Sequence, residues 1–161
     1  VRADGAQWIA DEVMTGFEYA AAVHLIYEGQ PEDGLRCIAA VRERYDGRKR
    51  IPFDEAECGH HYARAMASWG AVLALTGFHY SGVTRTMTFA PKAGAFFWSN
   101  GYAWGTCTLR VHAQGYQVEL AVLHGELALK RFALRGYGEH TPEGDWQIKT
   151  GERAEFWVSS T

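Results

Sequence analysis

The stretch IPFDEAECGHHYARAMASW, from Ile51 to Trp69, gathers three acids, a thiol, two histidines and an arginine. Glu55 and Glu57 stand two residues apart. In an extended segment both would point to one side, with Cα atoms roughly 6–7 Å apart. Glycosidases use carboxylate pairs, about 5–5.5 Å apart for retention and about 6.5–9.5 Å for inversion, but the two acids flank the scissile bond. Neighbours on one strand cannot do that.

Glu57, Cys58, His60 and His61 are all metal-ligand types. Structural zinc, however, uses CxxC or HxxxH spacing, and adjacent histidines rarely converge on one ion. No metal and no other cofactor is therefore expected. A nucleophilic Cys58 needs a base placed by the fold, so a buried inert thiol is its better default.

Carbohydrate recognition fits the same residue types. A carboxylate accepts and a guanidinium donates, and together they hold vicinal hydroxyls that do both. Glu55 and Arg64 can supply that pair. On spacing alone a salt bridge tying the loop to the following helix is favoured. Glu12, in EVMTG, is an acid in the first turn of an apolar helix, where the dipole alone accounts for it.

Three helices are predicted to position these groups. Ile9, Val13, Met14, Phe17, Ala20, Ala21 and Leu25 recur at three and four and mark a helix to about Glu28. Gly29 and Pro31 end it, and Pro31 opens a second helix buried along Leu35, Ile38, Val41 and Tyr45. The short turn between them implies an antiparallel αα-hairpin. A third helix runs from about Cys58 or His60 to Thr76, with Tyr62, Met66, Trp69 and Leu73 inward and Gly77 as its stop.

After Gly77 the apolar period changes to two. Strands are predicted over 84–90, 104–111 and 116–122. A hairpin at His124-Gly125 leads into 126–134, and a last hairpin crosses Thr150-Gly151. The division is a helical segment, 1–77, followed by an antiparallel β segment, 78–161.

The composition, 47% hydrophobic and 22% charged with a net charge of -3, is that of a globular protein with no footprint for nucleic acid. Three scattered cysteines, Cys37, Cys58 and Cys107, argue for a reducing, cytoplasmic setting. No apolar run approaches the ~20 residues of a membrane span. Aromatic residues make up 14%, which suits a sugar-stacking surface or a β-rich core. The chain begins at Val1 and enters a helix almost at once, and its first helix is apolar round much of its circumference, so it is expected to be a piece of something longer.

EVMTGFEYAAAVHLIYEG, the RYDGRKR loop and PFDEAECGHHYARAMASWG together resemble the C-terminal part of glycoside hydrolase family 116, the family of non-lysosomal glucosylceramidase, and most closely its bacterial branch. The likeness covers residues 9–80 and continues through FAPK and GYAWGT to about residue 108. It implies an α+β fragment, the last helices of an (α/α)6 toroid followed by C-terminal antiparallel strands. It further implies a retaining β-glycosidase acting on a β-glucoside, whose catalytic carboxylates lie in an upstream part of the enzyme. Glu55 and Arg64 fall on family residues that hold the glucosyl hydroxyls, and Glu12 on one that supports the same subsite. Ile51, Asp54 and Met14 depart from the family pattern, which has asparagine, asparagine and tryptophan there. The alternative is a non-catalytic carbohydrate-binding or interaction module whose aromatic strands, 96–104, hold a glycan or a partner.

Overall fold

Gly29 sets the first boundary. With φ at +80° it lets Gln30 N–H reach Leu25 C=O at 2.9 Å and its own N–H reach Ile26 C=O at 3.2 Å. This Schellman arrangement closes α1 (Thr15–Tyr27), and Pro31 opens α2 (Pro31–Arg44) at a position that needs no N–H donor. The computed structural model describes residues 14–52 and 65–161. The chain divides into two units, Val1–Leu75 and Thr76–Thr161.

In the first unit α1 and α2 pack as the expected hairpin, but on a different seam. Thr15, Tyr19, Ala22 and Ile26 are the buried residues of α1, whereas Phe17 is 69% exposed. On α2 the seam runs through Gly34 and Val41 to Tyr45, and Leu35 faces outward. Gly34 is the reason. A Cβ there would stand 2.6 Å from both Ala22 O and Ile26 Cγ1, so the helices approach closely only along that line. Cys37 Sγ reaches Glu18 O at 3.5 Å, and Arg44 pairs with the Glu18 carboxylate across the same seam. The third helix, α3 (Ala65–Thr76), stops at Gly77, whose φ is +63°. Its Met66, expected inward, is 84% exposed.

The second unit carries ten strands. They are β1 (His79–Ser81), β2 (Thr86–Phe89), β3 (Gly94–Ser99), β4 (Trp104–His112), β5 (Gly115–His124), β6 (Glu126–Leu129), β7 (Arg131–Leu134), β8 (Gly138–His140), β9 (Trp146–Lys149) and β10 (Arg153–Val158). One sheet has the order β1-β2-β7-β8 and another β10-β5-β4-β3, while β6 and β9 pair as a third. The β2–β7 pair is parallel.

This architecture corrects the expected fold class. Among the described residues, three helices of 13, 14 and 12 residues stand against ten strands in three sheets, with about 39% of those residues in strands. That does not fit the closing helices of an (α/α)6 toroid with an antiparallel tail. Two local expectations fail with it. β5 does not form a hairpin with β6, and β9 does not pair with β10, although each couple is joined by a tight glycine turn. Gly125 (φ +83°) lies so close to the β3–β4 loop that a Cβ would be 2.3 Å from Tyr102 O, and there the chain leaves the second sheet for the third.

The inward faces share one core. Met87, Phe89, Phe132 and Leu134 come from the first sheet, Cys107, Leu109, Val118, Leu120, Phe156 and Val158 from the second, and Leu127, Leu129 and Ile148 from the third. A line of rings runs through it. Phe78 lies 5.3 Å from Phe89, Phe89 5.9 Å from Phe132, Phe132 5.0 Å from Phe156, and Phe156 4.6 Å from His140. Such pairs add roughly 0.5–1.5 kcal/mol each to the effect of area burial. Trp98, 1% exposed, belongs to this core and cannot stack on a glycan. Of the aromatic segment 96–104, Phe97, Tyr102 and Trp104 reach the surface at 44%, 88% and 42% exposure, and the Trp104 ring is stacked 5.9 Å from His124.

Candidate functional site

Glu12, Glu55 and Arg64 lie outside the described residues, as do Asp54, Glu57, Cys58, His60 and His61. The structure therefore neither brings the expected glucose-holding groups together nor separates them. The loop leading to them is described as far as Pro52. Asp46 accepts the N–H groups of Arg48 and Lys49, both at 2.9 Å, and this holds its carboxyl below the usual carboxylate value. The RYDGRKR segment is thus a side-chain-tied turn. Arg50 lies over the Tyr45 ring, 5.9 Å from its centre.

Among the described residues no three His, Cys, Asp or Glu side chains are grouped to hold a metal. Cys107 is buried in the core and its thiol pKa is driven far up by desolvation, so it is no nucleophile at neutral pH.

The described concavity with mixed chemistry lies at the β9–β10 end of the second unit. β9 and β10 are joined by a turn with Gly151 at φ +83°, yet β9 pairs with β6 and β10 with β5. Splaying of the two strands opens a shallow groove of about 380 Å³, lined by Trp146, Gln147, Ile148, Glu152, Arg153 and Ala154. The turn is anchored by Gly151 N–H to Val122 O at 2.8 Å and Val122 N–H to Glu152 O at 3.0 Å. Lys149 N–H donates to Glu152 Oε2 at 2.9 Å, and Arg153 Nη1 stands 3.5 Å from Glu119 Oε1 on β5. An indole, an amide, a carboxylate and a guanidinium thus line one depression.

No protein-family model and no curated protein matches this chain.

Sequence reasoning passed over the groove because Trp146-Gln147-Ile148 read only as strand. The signal that could have found it is the acid–base couple Glu152-Arg153, placed directly after the Thr150-Gly151 turn.

Behind Trp146 sits His140. Its ring lies 5.5 Å from the indole and is stacked 4.6 Å from Phe156, with Nε2 buried and unpartnered among the described residues. Desolvation lowers its pKa below 6.5, partly offset by a hydrogen bond to the Trp157 backbone. A histidine with a depressed folded pKa leaves stability intact above its unfolded value and erodes it as pH falls through the folded one. The melting temperature should therefore drop as pH falls below about 6.5, and His140→Phe should flatten that slope. Identical slopes for the two proteins in a thermal melt series would contradict this reading of His140.

Proposed function

We propose that this chain is a non-catalytic carbohydrate-binding element in which a sugar seats in the β9–β10 groove, in the service of a β-glycosidase whose reacting carboxylates are carried elsewhere. The observation that supports it is the groove lining, with Trp146 on one side and Gln147, Glu152 and Arg153 around it. A pyranose offers an apolar C–H face and a ring of hydroxyls. An indole takes the first, and a carboxylate with a guanidinium takes the second, one accepting and the other donating. Hydrogen bonds to charged groups contribute roughly 1.5–3 kcal/mol each, enough for recognition without chemistry.

Calorimetric titration with cellobiose, a β-linked glucose disaccharide, tests the proposal. Trp146→Ala and Arg153→Ala are each expected to weaken binding by about tenfold or more, equivalent to ~1.4 kcal/mol. Undiminished binding in both variants would remove the groove from consideration.

A second reading rests on the likeness of the block PFDEAECGHHYARAMASWG, which holds Glu55 nine residues before Arg64, to family 116. On that reading Glu55, Arg64 and Glu12 hold the non-reducing glucosyl unit of a β-glucoside in a retaining enzyme resembling family 116. Binding lost on Arg64→Ala but kept in Trp146→Ala would select it. On either reading the 161-residue chain alone is expected not to hydrolyse an aryl β-glucoside, since no part of it resembles the family's nucleophile or acid/base segments. Among the described residues no helix is long and apolar enough to cross a membrane. The dispersed cysteines support a cytoplasmic setting.

A further inference from the structure

Trp146, which walls the groove, rests on a histidine. His140 on β8 has Phe132 directly opposite it on β7, Phe156 stacked on its ring at 4.6 Å and the Trp146 indole tilted against it at 5.5 Å. With Nε2 buried and unpartnered, Nδ1 is the nitrogen that bonds the Trp157 backbone. In the neutral ring Nε2 is a lone pair, which an aromatic cage tolerates. A proton there makes it a charged donor with nothing to accept it. Among the described residues no ionised side chain faces the ring to offset that charge, and its titration is set by burial and the backbone bond. Glu139, next along β8, is turned to the other face of the strand and paired with Arg131 of β7 at 3.5 Å. Asp145, just before β9, is held by Arg85 and Lys130 at 3.0 and 3.5 Å. Glu143 in the β8–β9 loop is exposed, and Glu155 on β10 points outward.

The cage has one wall that can move. Phe132 and Phe156 are buried and pack on each other at 5.0 Å, whereas Trp146 is half-buried and lines the groove. From this arrangement we propose that His140 is a proton-operated latch on the groove: the neutral ring holds the Trp146 indole in place as the groove wall, and a solvent proton taken up on Nε2 drives the indole off and dismantles the site. The latch belongs to the unliganded chain, and its control of sugar binding rests on the carbohydrate reading of the groove. The neutral form prevails at high pH and is lost as pH falls through a midpoint that burial places below 6.5. A ligand that needs the neutral form loses affinity about tenfold for each pH unit below that midpoint, because the competent fraction shrinks by that factor.

Tryptophan emission of the full chain without sugar, followed from about pH 8 to about pH 4, reads the latch. A one-proton transition with its midpoint below 6.5 is expected, kept in Trp157→Phe and absent in Trp146→Phe and His140→Phe. His140→Asn, which keeps a donor for the Trp157 backbone and takes no charge, should also lack it. Both His140 variants should bind cellobiose at about pH 7.5 as the unaltered chain does. They should keep that affinity one pH unit below the midpoint, where the unaltered chain has lost about tenfold. Emission indifferent to pH, or a transition that survives in both His140 variants, overturns the latch. So does cellobiose affinity that stays level through the transition. The predicted transition with no cellobiose binding at any pH leaves the latch standing and overturns the sugar reading alone.

Discussion

Phe132→Ala is expected to lower the unfolding free energy by about 3–5 kcal/mol, the usual cost of deleting a buried aromatic ring. Phe132 is fully buried on β7, which lies between β2 and β8. Its ring meets Phe89 on β2 at 5.9 Å and Phe156 on β10 at 5.0 Å, so it joins the inward faces of the two four-stranded sheets. The cavity would open where those sheets meet, with little freedom to collapse. Phe132→Leu keeps much of the volume and should cost clearly less. Chemical denaturation followed by tryptophan fluorescence reads both variants. A loss of under about 1 kcal/mol for the alanine variant would mean that this ring does not bridge the sheets.

The second large effect concerns added bulk. Gly105 sits where β4 shifts register against β5. A Cβ there would lie 1.9 Å from Ala121 O and 3.0 Å from both Ala121 C and Trp98 Cζ2. The first two of those atoms are backbone and the third is a buried indole, so none can step aside without moving a strand. Gly105→Ala should therefore cost about 3 kcal/mol, at the upper end of ordinary overpacking. The same denaturation experiment checks it, with Gly144→Ala as a control for left-handed strain alone, since nothing lies within 4 Å of that position and its φ is +84°. Gly105 has no left-handed φ, so the close approach of β5 is what an added Cβ meets there, and a loss no larger than that of Gly144→Ala would contradict this account.

Element type was readable from the chain where a local cause decides it. Gly29 and Pro31 mark the hairpin between α1 and α2 because one closes a helix in the left-handed region and the other starts one without an N–H. Alternation along Val118, Leu120 and Val122 gives β5 its buried face. Pairing was not readable, because it is decided by residues distant in sequence. His124-Gly125 has the appearance of a hairpin turn, yet β5 is flanked by β4 and β10, so no edge is left for β6. The parallel β2–β7 pair joins strands more than forty residues apart and leaves no local trace. The helix seam shifted for a related reason, since Gly34 carries no hydropathy signal but permits the closest approach.

The same division applies to the site. Trp98 and Trp104 read alike as aromatic surface, and only the phase of β3, with Trp98 inward, separates core from surface. Trp146 and Arg153 are seven residues apart, with a turn between them, and they share a groove because β9 and β10 belong to different sheets. The polar crowd of residues 54–64 lies outside the described residues, so the proposal that it binds sugar rests on its sequence alone.

The most direct test of carbohydrate binding through the β9–β10 groove is a calorimetric titration of the 161-residue chain with cellohexaose, run beside Trp146→Ala and Arg64→Ala. Saturable binding, weakened by about tenfold or more in Trp146→Ala and retained in Arg64→Ala, is the predicted result. No heat of binding in the unaltered chain, or binding that survives Trp146→Ala, would contradict it.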